Sequence, residues 1–318
     1  MTTGTYTPSL SIVIPVYNGE KTIGPLVREL EKILSPHFAL EIILVNDASP
    51  DESLRACLSA QSSTHCRVHV IDLSRNFGEH NAVMAGLHHS TSDYAVIMDD
   101  DFQNPPGEIQ KLVKQADYEG YDVVYTRYPE KHHAWWRNLG SKFNNLIATI
   151  MLRKPYDLYL SSFKLMNAFT VKQVLRYEGP YPYIDGLILR ATRRIGVVEV
   201  QHADRKQGKS NYTLVKLLRL WMNMFTNFSI LPLRLATLLG LLSAFIALLF
   251  GIVVVIEWFE NPELPVGWAS VAFLLVFFSG VQLMVIGIVG EYVGRIFMLK
   301  NATPQFIVRN EYPSPIRR

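Results

Sequence analysis

Apolar runs and amphipathic stretches alternate along the first half of the chain. "SLSIVIPVY" (Ser9 to Tyr17) is apolar through its middle and predicts a buried strand, whereas Glu20 to Leu34 spaces its apolar residues as one face of a helix. "EIILVND" (Glu41 to Asp47) predicts a second strand, followed by a helix from about Asp51 to Ala60. "RVHVIDL" (Arg67 to Leu73) predicts a third, with Gly78 to His89 helical behind it. "YAVIMDD" (Tyr94 to Asp100) is a fourth, and the next helix begins near Pro106, where proline suits a first turn. "YDVVYTR" (Tyr121 to Arg127) is a fifth. This rhythm predicts a mainly parallel sheet covered by helices. In such sheets ligands sit at the carboxyl ends of the strands.

The pattern changes in the last third. Neither Leu235–Ile256 nor Val266–Gly290 contains a charged residue, and each is long enough to cross roughly 30 Å of hydrocarbon. The segment between them carries Glu257, Glu260 and Glu263 and no Lys or Arg. Arg219 and Arg234 precede the pair; Arg295, Lys300, Arg309, Arg317 and Arg318 follow it. Positive flanks stay inside, so the expectation is a two-helix transmembrane hairpin in the plasma (inner) membrane, multi-pass, with both termini cytosolic. Trp258 and Trp268 sit where interfacial aromatics belong, and Gly287, Gly290 and Gly294 predict close helix approach and a homo-oligomer. With no charge inside either span, a flippase path is disfavoured. Two further amphipathic stretches, Arg137–Leu152 and Thr213–Phe228, fit either core packing or a position on the bilayer surface.

Composition narrows the classes further. With 31 Lys and Arg against 28 Asp and Glu, the formal charge is only +3, which excludes a global basic field for nucleic acid. The two cysteines, Cys57 and Cys66, lack CxxC spacing and fit a reducing compartment. The N-terminus lacks the basic start and apolar stretch of a cleaved signal, so the first domain is expected on the cytosolic side.

Candidate chemistry gathers at the strand ends. The first ends in Pro15, Tyr17, Asn18 and Glu20; the second in Asn46, Asp47, Ser49 and Asp51; the fourth in Asp99, Asp100 and Asp101. Three consecutive carboxylates repel one another. Either they form a solvated turn, or a divalent cation offsets the repulsion by binding oxygen ligands. No GxGxxG follows the first strand and "GEKTIG" is not a Walker A loop, so phosphates must be held another way.

The segments "SIVIPVYNGEKTI", "ILVNDASPDES", "LSRNFGEHNAVMAGL", "VIMDDDFQNPP", "SSFKLMN" and "ADRKQGKSNY" occur in that order. Together they resemble the family 2 glycosyltransferases of GT-A fold, and within them the polyprenyl-phosphate glycosyltransferases, the group of the bactoprenol glucosyltransferases and dolichol-phosphate mannose synthases. The resemblance implies an α/β, Rossmann-like GT-A cytosolic domain followed by the transmembrane hairpin. It makes Asp99 and Asp101 the DxD pair that binds Mg²⁺ or Mn²⁺ against the donor diphosphate. Asp100 is the intervening residue, whose side chain points away if the backbone stays extended. Pro15, Tyr17, Asn18, Glu20, Asp47 and Ser49 match the nucleotide pocket, with Asp47 placed to accept a hydrogen bond from the base. Gln103 matches a position near the sugar or the metal. Arg205, Gly208, Ser210 and Tyr212 match the R-x-x-G-x-S-x-Y segment. Arg205 and Lys209 suit phosphate oxygens, and Ser210, Tyr212 and Lys164 complete the acceptor-phosphate set. A basic surface loop beside anionic lipid is the alternative for the same residues, and the two readings are compatible, since the acceptor phosphate must arrive from that surface.

The resemblance makes Asp157 the candidate nearest the reacting centre, as base or as orienting group, in a catalytic set with Asp101 and Arg205. The sequence departs from the family here: Ser162 stands where several relatives carry Asp, and Lys164 where they carry Arg. An acceptor phosphate with second pKa near 6 is already largely dianionic at neutral pH, so it needs positioning more than deprotonation. The expected activity is inverting transfer of one sugar to polyprenyl phosphate at the cytosolic face. UDP-glucose is the expected donor, with GDP-mannose and UDP-linked amino sugars as alternatives. A processive synthase would carry Q-x-x-R-W and more spans; a nucleotide-sugar-binding scaffold would lack the metal ligands. The implied division is residues 1–136 for the nucleotide-sugar core, 137–228 for the acceptor side, 229–300 for the two spans and 301–318 for a cytosolic tail.

Overall fold

The computed structural model describes residues 7–128, 149, 154–155, 157–201, 231–260 and 267–314. Two compact units make up the chain: Met1–Thr213 with Ala302–Arg318, and Leu214–Asn301. The first opens with β1 (Ser9–Val16), α1 (Ile23–Leu34), β2 (Ala39–Asn46), α2 (Ser53–Ser63), β3 (Arg67–Leu73), α3 (Glu79–His88) and β4 (Tyr94–Ile97). A short turn of 3-10 helix then leads into α4 (Ile109–Glu119) and β5 (Val123–Arg127). The later elements are β6 (Lys164–Asn167), α5 (Ala168–Val174), α6 (Ile184–Ala191) and β7 (Ile195–Glu199).

All eight strands join one sheet in the order β7-β5-β6-β4-β1-β2-β3-β8, where β8 is Val308–Tyr312. β4, β1, β2 and β3 run parallel, as the alternation of elements predicts. β6 is antiparallel to both of its neighbours, β4 and β5. It separates the fourth and fifth predicted strands and registers Ile97 against Lys164.

Strand alternation sorts the side chains onto two faces. Leu10, Ile12, Ile14 and Val16 of β1 pack in one core with Ile23, Leu26, Val27, Leu30 and Leu34 of α1 and with Ile109, Leu112, Val113 and Ala116 of α4. That spacing on α1 is what makes it helical and fixes which side it buries. The opposite face carries Val13 and Val45 and is covered by α3. A Cβ on Gly86 would stand 2.4 Å from Val13 Cγ1 and 3.1 Å from Val45 Cγ2. Glycine there lets α3 lie directly on the sheet, which in turn places the helix start, Glu79, at the sheet's carboxyl edge.

The tail assigned to 301–318 contains an element that its polar composition concealed. Val308–Tyr312 pairs antiparallel with β3 and covers that edge of the sheet. Gln61 Nε2 donates to the Tyr312 carbonyl at 2.7 Å. Gln305 Nε2, buried, donates to the carbonyls of Gly179 at 2.9 Å and Tyr177 at 3.2 Å. An edge strand exposed on one face shows no long apolar run, so Arg309, Asn310 and Glu311 read as tail.

In the second unit, α7 (Leu231–Glu260) and α8 (Trp268–Lys300) are single helices of 30 and 33 residues. α8 runs ten residues past Gly290, where the Glu291–Arg295 pair at 2.9 Å, one turn apart, suits a continuing helix. Among the described residues, Phe277–Lys300 is long and apolar enough to cross a membrane by length and composition. The stretches 131–137 and 213–228, and 137–152 apart from Thr149, lie outside the described residues. Cys57 and Cys66 are unpaired thiols; burial pushes their pKa up to about 12 and about 11, so neither is a thiolate at neutral pH.

Candidate active site

Loops after β1, β2, β3 and β4 meet at one edge of the sheet. In the first, Asn18 takes a left-handed backbone (φ 59°) and its N–H donates to Ser49 Oγ at 2.7 Å. The next N–H, of Gly19, donates to Ser53 Oγ at 2.8 Å. Ser49 and Ser53 both donate to Asp51 Oδ1 at 2.5 Å, and the Glu20 N–H reaches Asp51 Oδ2 at 3.3 Å. Asp51, at the end of the second strand but outside the expected nucleotide set, therefore ties the first two loops together. Its pKa is lowered by these hydroxyl and N–H donors despite the opposing effect of burial. Tyr17 stands half exposed beside them, and Pro15 lies within β1, paired in register with Val45.

Asp47 is buried and reaches across to the loop after β3. Its two oxygens accept from the N–H groups of Phe77 at 2.7 Å and Gly78 at 2.9 Å. Burial raises its pKa and these two donors pull it back. Each oxygen retains a second lone pair, so anchoring the loop and accepting from a base are compatible.

The acidic triplet divides between the two faces. Ile97 lies on the α3 face, so alternation sends Asp99 to that face and Asp100 to the other. Asp99 Oδ2 accepts from Ser162 Oγ at 2.8 Å, continuing the β4–β6 register by two residues. Asp100 turns toward Gly19, where an added Cβ would stand 2.0 Å from Asp100 Oδ2. That oxygen is buried without a hydrogen-bond partner among the described residues. Asp101 Oδ1 accepts from the Gln103 N–H at 3.1 Å, closing a turn around Phe102 (φ 62°). Burial, then the charge of Glu79, push the Asp99 carboxyl up to about 6. Burial, then Asp99 and Asp101, push Asp100 up to about 7.

Asp99 and Asp101, two carboxylates near enough for the charge of Asp101 to raise the proton affinity of Asp99, fit a hard divalent cation. Among the described residues no group of three His, Cys, Asp or Glu side chains gathers to hold a metal alone. Asp99 and Asp101 would hold the ion together with substrate oxygens, as is usual for Mg²⁺. A cation there supplies charge neutralisation for a leaving diphosphate.

Behind Asp99 lies a buried charged group that the sequence reading did not assemble. Lys164, 3% exposed, pairs with the Asp185 carboxylate of α6, and its ammonium lies 5.2 Å from the Tyr125 ring centroid. The Tyr125 hydroxyl donates to the same Asp185 oxygen at 2.8 Å. His80 packs edge-on to Tyr183 at 5.4 Å, and burial pushes its pKa down to about 4, so it is neutral. Lys164 would reach an acceptor phosphate only by giving up Asp185, so its position is that of an internal ion pair. A lysine inside the apolar strand "SFKLM" and an aspartate inside "YIDGLILR" were the available signals.

Asp157 is exposed, and its backbone carbonyl accepts from Arg127 Nη2 at 2.8 Å. No described contact links it to the acidic triplet. Arg205, Lys209, Ser210 and Tyr212 lie outside the described residues.

Residues 11–174 match the model of the glycosyl transferase family 2. The undecaprenyl-phosphate 4-deoxy-4-formamido-L-arabinose transferase of Klebsiella pneumoniae (strain 342) is 32% identical over 316 residues, covering 98% of this chain and 96% of that protein. The protein of the same name from Edwardsiella ictaluri is 32% identical over 304 residues, covering 95% of this chain and 93% of its own. The crystal structure of Mycobacterium tuberculosis glucosyl-3-phosphoglycerate synthase superposes with a TM-score of 0.50 at 17% identity, over 69% of this chain and 78% of that one. Another structure of that synthase, with Mn²⁺, UDP-glucose and phosphoglyceric acid, gives 0.50 at 16% identity over 70% and 78%. At that identity the likeness is one of fold, the GT-A-like mixed sheet.

Proposed function

This chain belongs to the glycosyl transferase family 2, and on that premise we propose that it transfers one sugar from a nucleotide donor to undecaprenyl phosphate or a related polyprenyl phosphate. The observation that carries the acceptor is the similarity, over nearly the whole chain, to transferases named for undecaprenyl phosphate. Those names favour an amino sugar of the 4-deoxy-4-formamido-L-arabinose kind over glucose as the transferred group, and UDP is the carrier assigned to it in this proposal. Glucose is the second reading, resting on the two long C-terminal helices.

In the proposed reaction a phosphate oxygen of the lipid attacks the anomeric carbon. The bond from that carbon to the donor diphosphate breaks, and the nucleoside diphosphate leaves with the electron pair. Tyr17, Asn18, Glu20, Asp47 and Ser49 cradle the nucleotide, and Asp99 and Asp101 would hold a divalent ion, which would supply charge neutralisation for the leaving group. Asp100 holds the loop after β1 in place from the opposite face. Ser162 orients Asp99. Arg205, Lys209, Ser210 and Tyr212 receive the lipid phosphate, and Asp157 orients sugar or acceptor.

Both ends of the helical pair belong on the cytosolic side. Leu214–Asn301 interrupts a unit to which the chain returns, since β8 pairs with β3. A chain that leaves and rejoins one folded unit crosses a bilayer an even number of times, and the Arg and Lys flanks agree.

The test is transfer by the purified chain to undecaprenyl phosphate from a panel of radiolabelled nucleotide sugars. Parallel runs use Mn²⁺, EDTA, and Asp101→Ala, following label into the organic phase. Cation-dependent, Asp101-dependent label from one donor is the expected result. Absence of lipid-soluble label from every donor, despite nucleotide binding, refutes the acceptor.

A further inference from the structure

Glu79 has no part in the site as assigned so far, yet it stands at a fixed point of the sheet's carboxyl edge. It is the first residue of α3, following Gly78, whose φ is 91°. Gly78 and Phe77 are pinned by their N–H groups to Asp47, and Gly86 seats the helix on β1 and β2. Backbone on both sides of Glu79 is thus fixed. Strand register puts Asp99, Ser162, Lys164 and Tyr125 on the face that α3 covers. The charges of Lys164 and Asp185 act on Glu79, and Glu79 is the neighbouring charge felt most strongly by Asp99. The side chain is nonetheless solvent-accessible, and it makes no hydrogen bond or ion pair to a described residue. Glu79 is thus an exposed carboxylate at the carboxyl edge of the sheet, without a hydrogen-bond partner among the described residues and near enough to Asp99 for its charge to be felt there.

A carboxylate there repels the donor diphosphate and the lipid phosphate alike. What it accepts is an O–H or N–H donor. In the proposed substrate pair the lipid phosphate offers no such group at neutral pH. The donor offers two sets, those of base and ribose, and those of the transferred sugar. The loops after β1 and β2 are assigned to the first set. We propose that Glu79 binds the transferred sugar, accepting hydrogen bonds from its hydroxyl or amide groups, and so sets which donor sugar is used. This rests on the reading of the site as a nucleotide-sugar pocket. A helix-start carboxylate also stabilises its helix through the dipole, but that role would change stability and leave sugar affinity alone.

The experiment compares the full-length chain in detergent with Glu79→Ala and Glu79→Gln. Dissociation constants are measured with Mn²⁺ for UDP, UDP-glucose and UDP-linked 4-deoxy-4-formamido-L-arabinose. Losing a charged hydrogen bond should weaken the preferred UDP-sugar about ten- to one-hundred-fold in Glu79→Ala, with UDP unchanged within about two-fold. Glu79→Gln, which keeps one acceptor oxygen, should fall between and serves if the alanine variant does not fold. Equal losses for UDP and UDP-sugar would place Glu79 at the ribose and overturn the proposal. So would unchanged binding of both, or a wild-type chain that binds no UDP-sugar more tightly than UDP. Because only binding is read, failure of the lipid-acceptor reading appears separately, as absent organic-phase label with the sugar contrast intact.

Discussion

Replacing Lys164 by Met tests the buried charged group behind Asp99. The Lys164 ammonium and the Asp185 carboxylate are 4% and 9% exposed, so neither charge has water to fall back on. Methionine keeps the volume and removes the charge, leaving Asp185 with the Tyr125 hydroxyl as its described donor. Breaking a buried pair from one side costs about 3–5 kcal/mol. At roughly 2–4 °C per kcal/mol for a unit of this size, the melting temperature should fall by about 6–20 °C. Asp185→Asn, which strands the ammonium, should cost a similar amount. Lys164→Met with Asp185→Leu removes both charges and should recover most of the loss, because an apolar replacement of a buried pair is often neutral. The assay is thermal unfolding of the full chain in detergent, followed by tryptophan fluorescence at two scan rates. Single variants within about 2 °C of wild type would refute the reasoning. So would a double variant that loses the sum of the two, since additivity means the charges do not interact. Lys164 also holds the Asp99 pKa down, so the single variant should need a higher pH to bind a cation.

Two further predictions concern the acidic triplet and the seat of α3. Burial and mutual repulsion lift Asp99 to about 6 and Asp100 to about 7, above the ordinary 3.8. The folded metal-free chain therefore holds protons that the unfolded chain has released. These two groups make it lose stability as pH rises from about 4 through 7, and a cation must displace those protons. The rise in melting temperature caused by Mn²⁺ should accordingly grow from about pH 5.5 to 7.5; a constant rise across that window would contradict the assignment. Gly86→Ala drives a methyl to 2.4 Å from Val13 Cγ1 and should cost about 1–3 kcal/mol by overpacking. Gly107→Ala, with nothing within 4 Å of its added Cβ, is the control, and equal melting points for the two would remove the packing argument.

Periodicity was enough for the parallel half of the sheet, because β1 to β4 are largely buried and predominantly apolar and each leads into a helix. It was not enough for β6 or β8. β6 is four residues long and holds a lysine, which a strand can bury only with a partner from elsewhere, here Asp185 of α6. β8 is an edge strand, and its pairing with β3 connects residues about 240 positions apart, a distance no local pattern spans. The same limit applied to the site. Asp99, Asp101, Asp47 and Ser49 were legible because each ends an apolar strand with polar residues. Glu79 and Asp185 begin helices, where a carboxylate is ordinary and carries no signal. Only the register of β4 with β6, and the seating of α3, bring them beside Asp99.

Backbone conformation gives an independent reason to regard this edge as functional. Among the described residues four that are not glycine have positive φ, and three of them, Asn18 (59°), Ala48 (47°) and Phe102 (62°), follow β1, β2 and β4. Such conformations cost about 1–3 kcal/mol each, least for asparagine and most for a bulky residue such as phenylalanine. A fold selected for stability alone would place glycine at Ala48 and Phe102. Each instead turns the next polar groups back onto the site: Ser49 to the Asn18 N–H, and the Gln103 N–H to Asp101. Positive φ thus recurs in three separate loops that share one edge, the distribution expected where strain is kept for a site. The Asp100 oxygen, without a hydrogen-bond partner among the described residues, is a further cost borne at the same place, as expected of an edge shaped for a ligand rather than for stability.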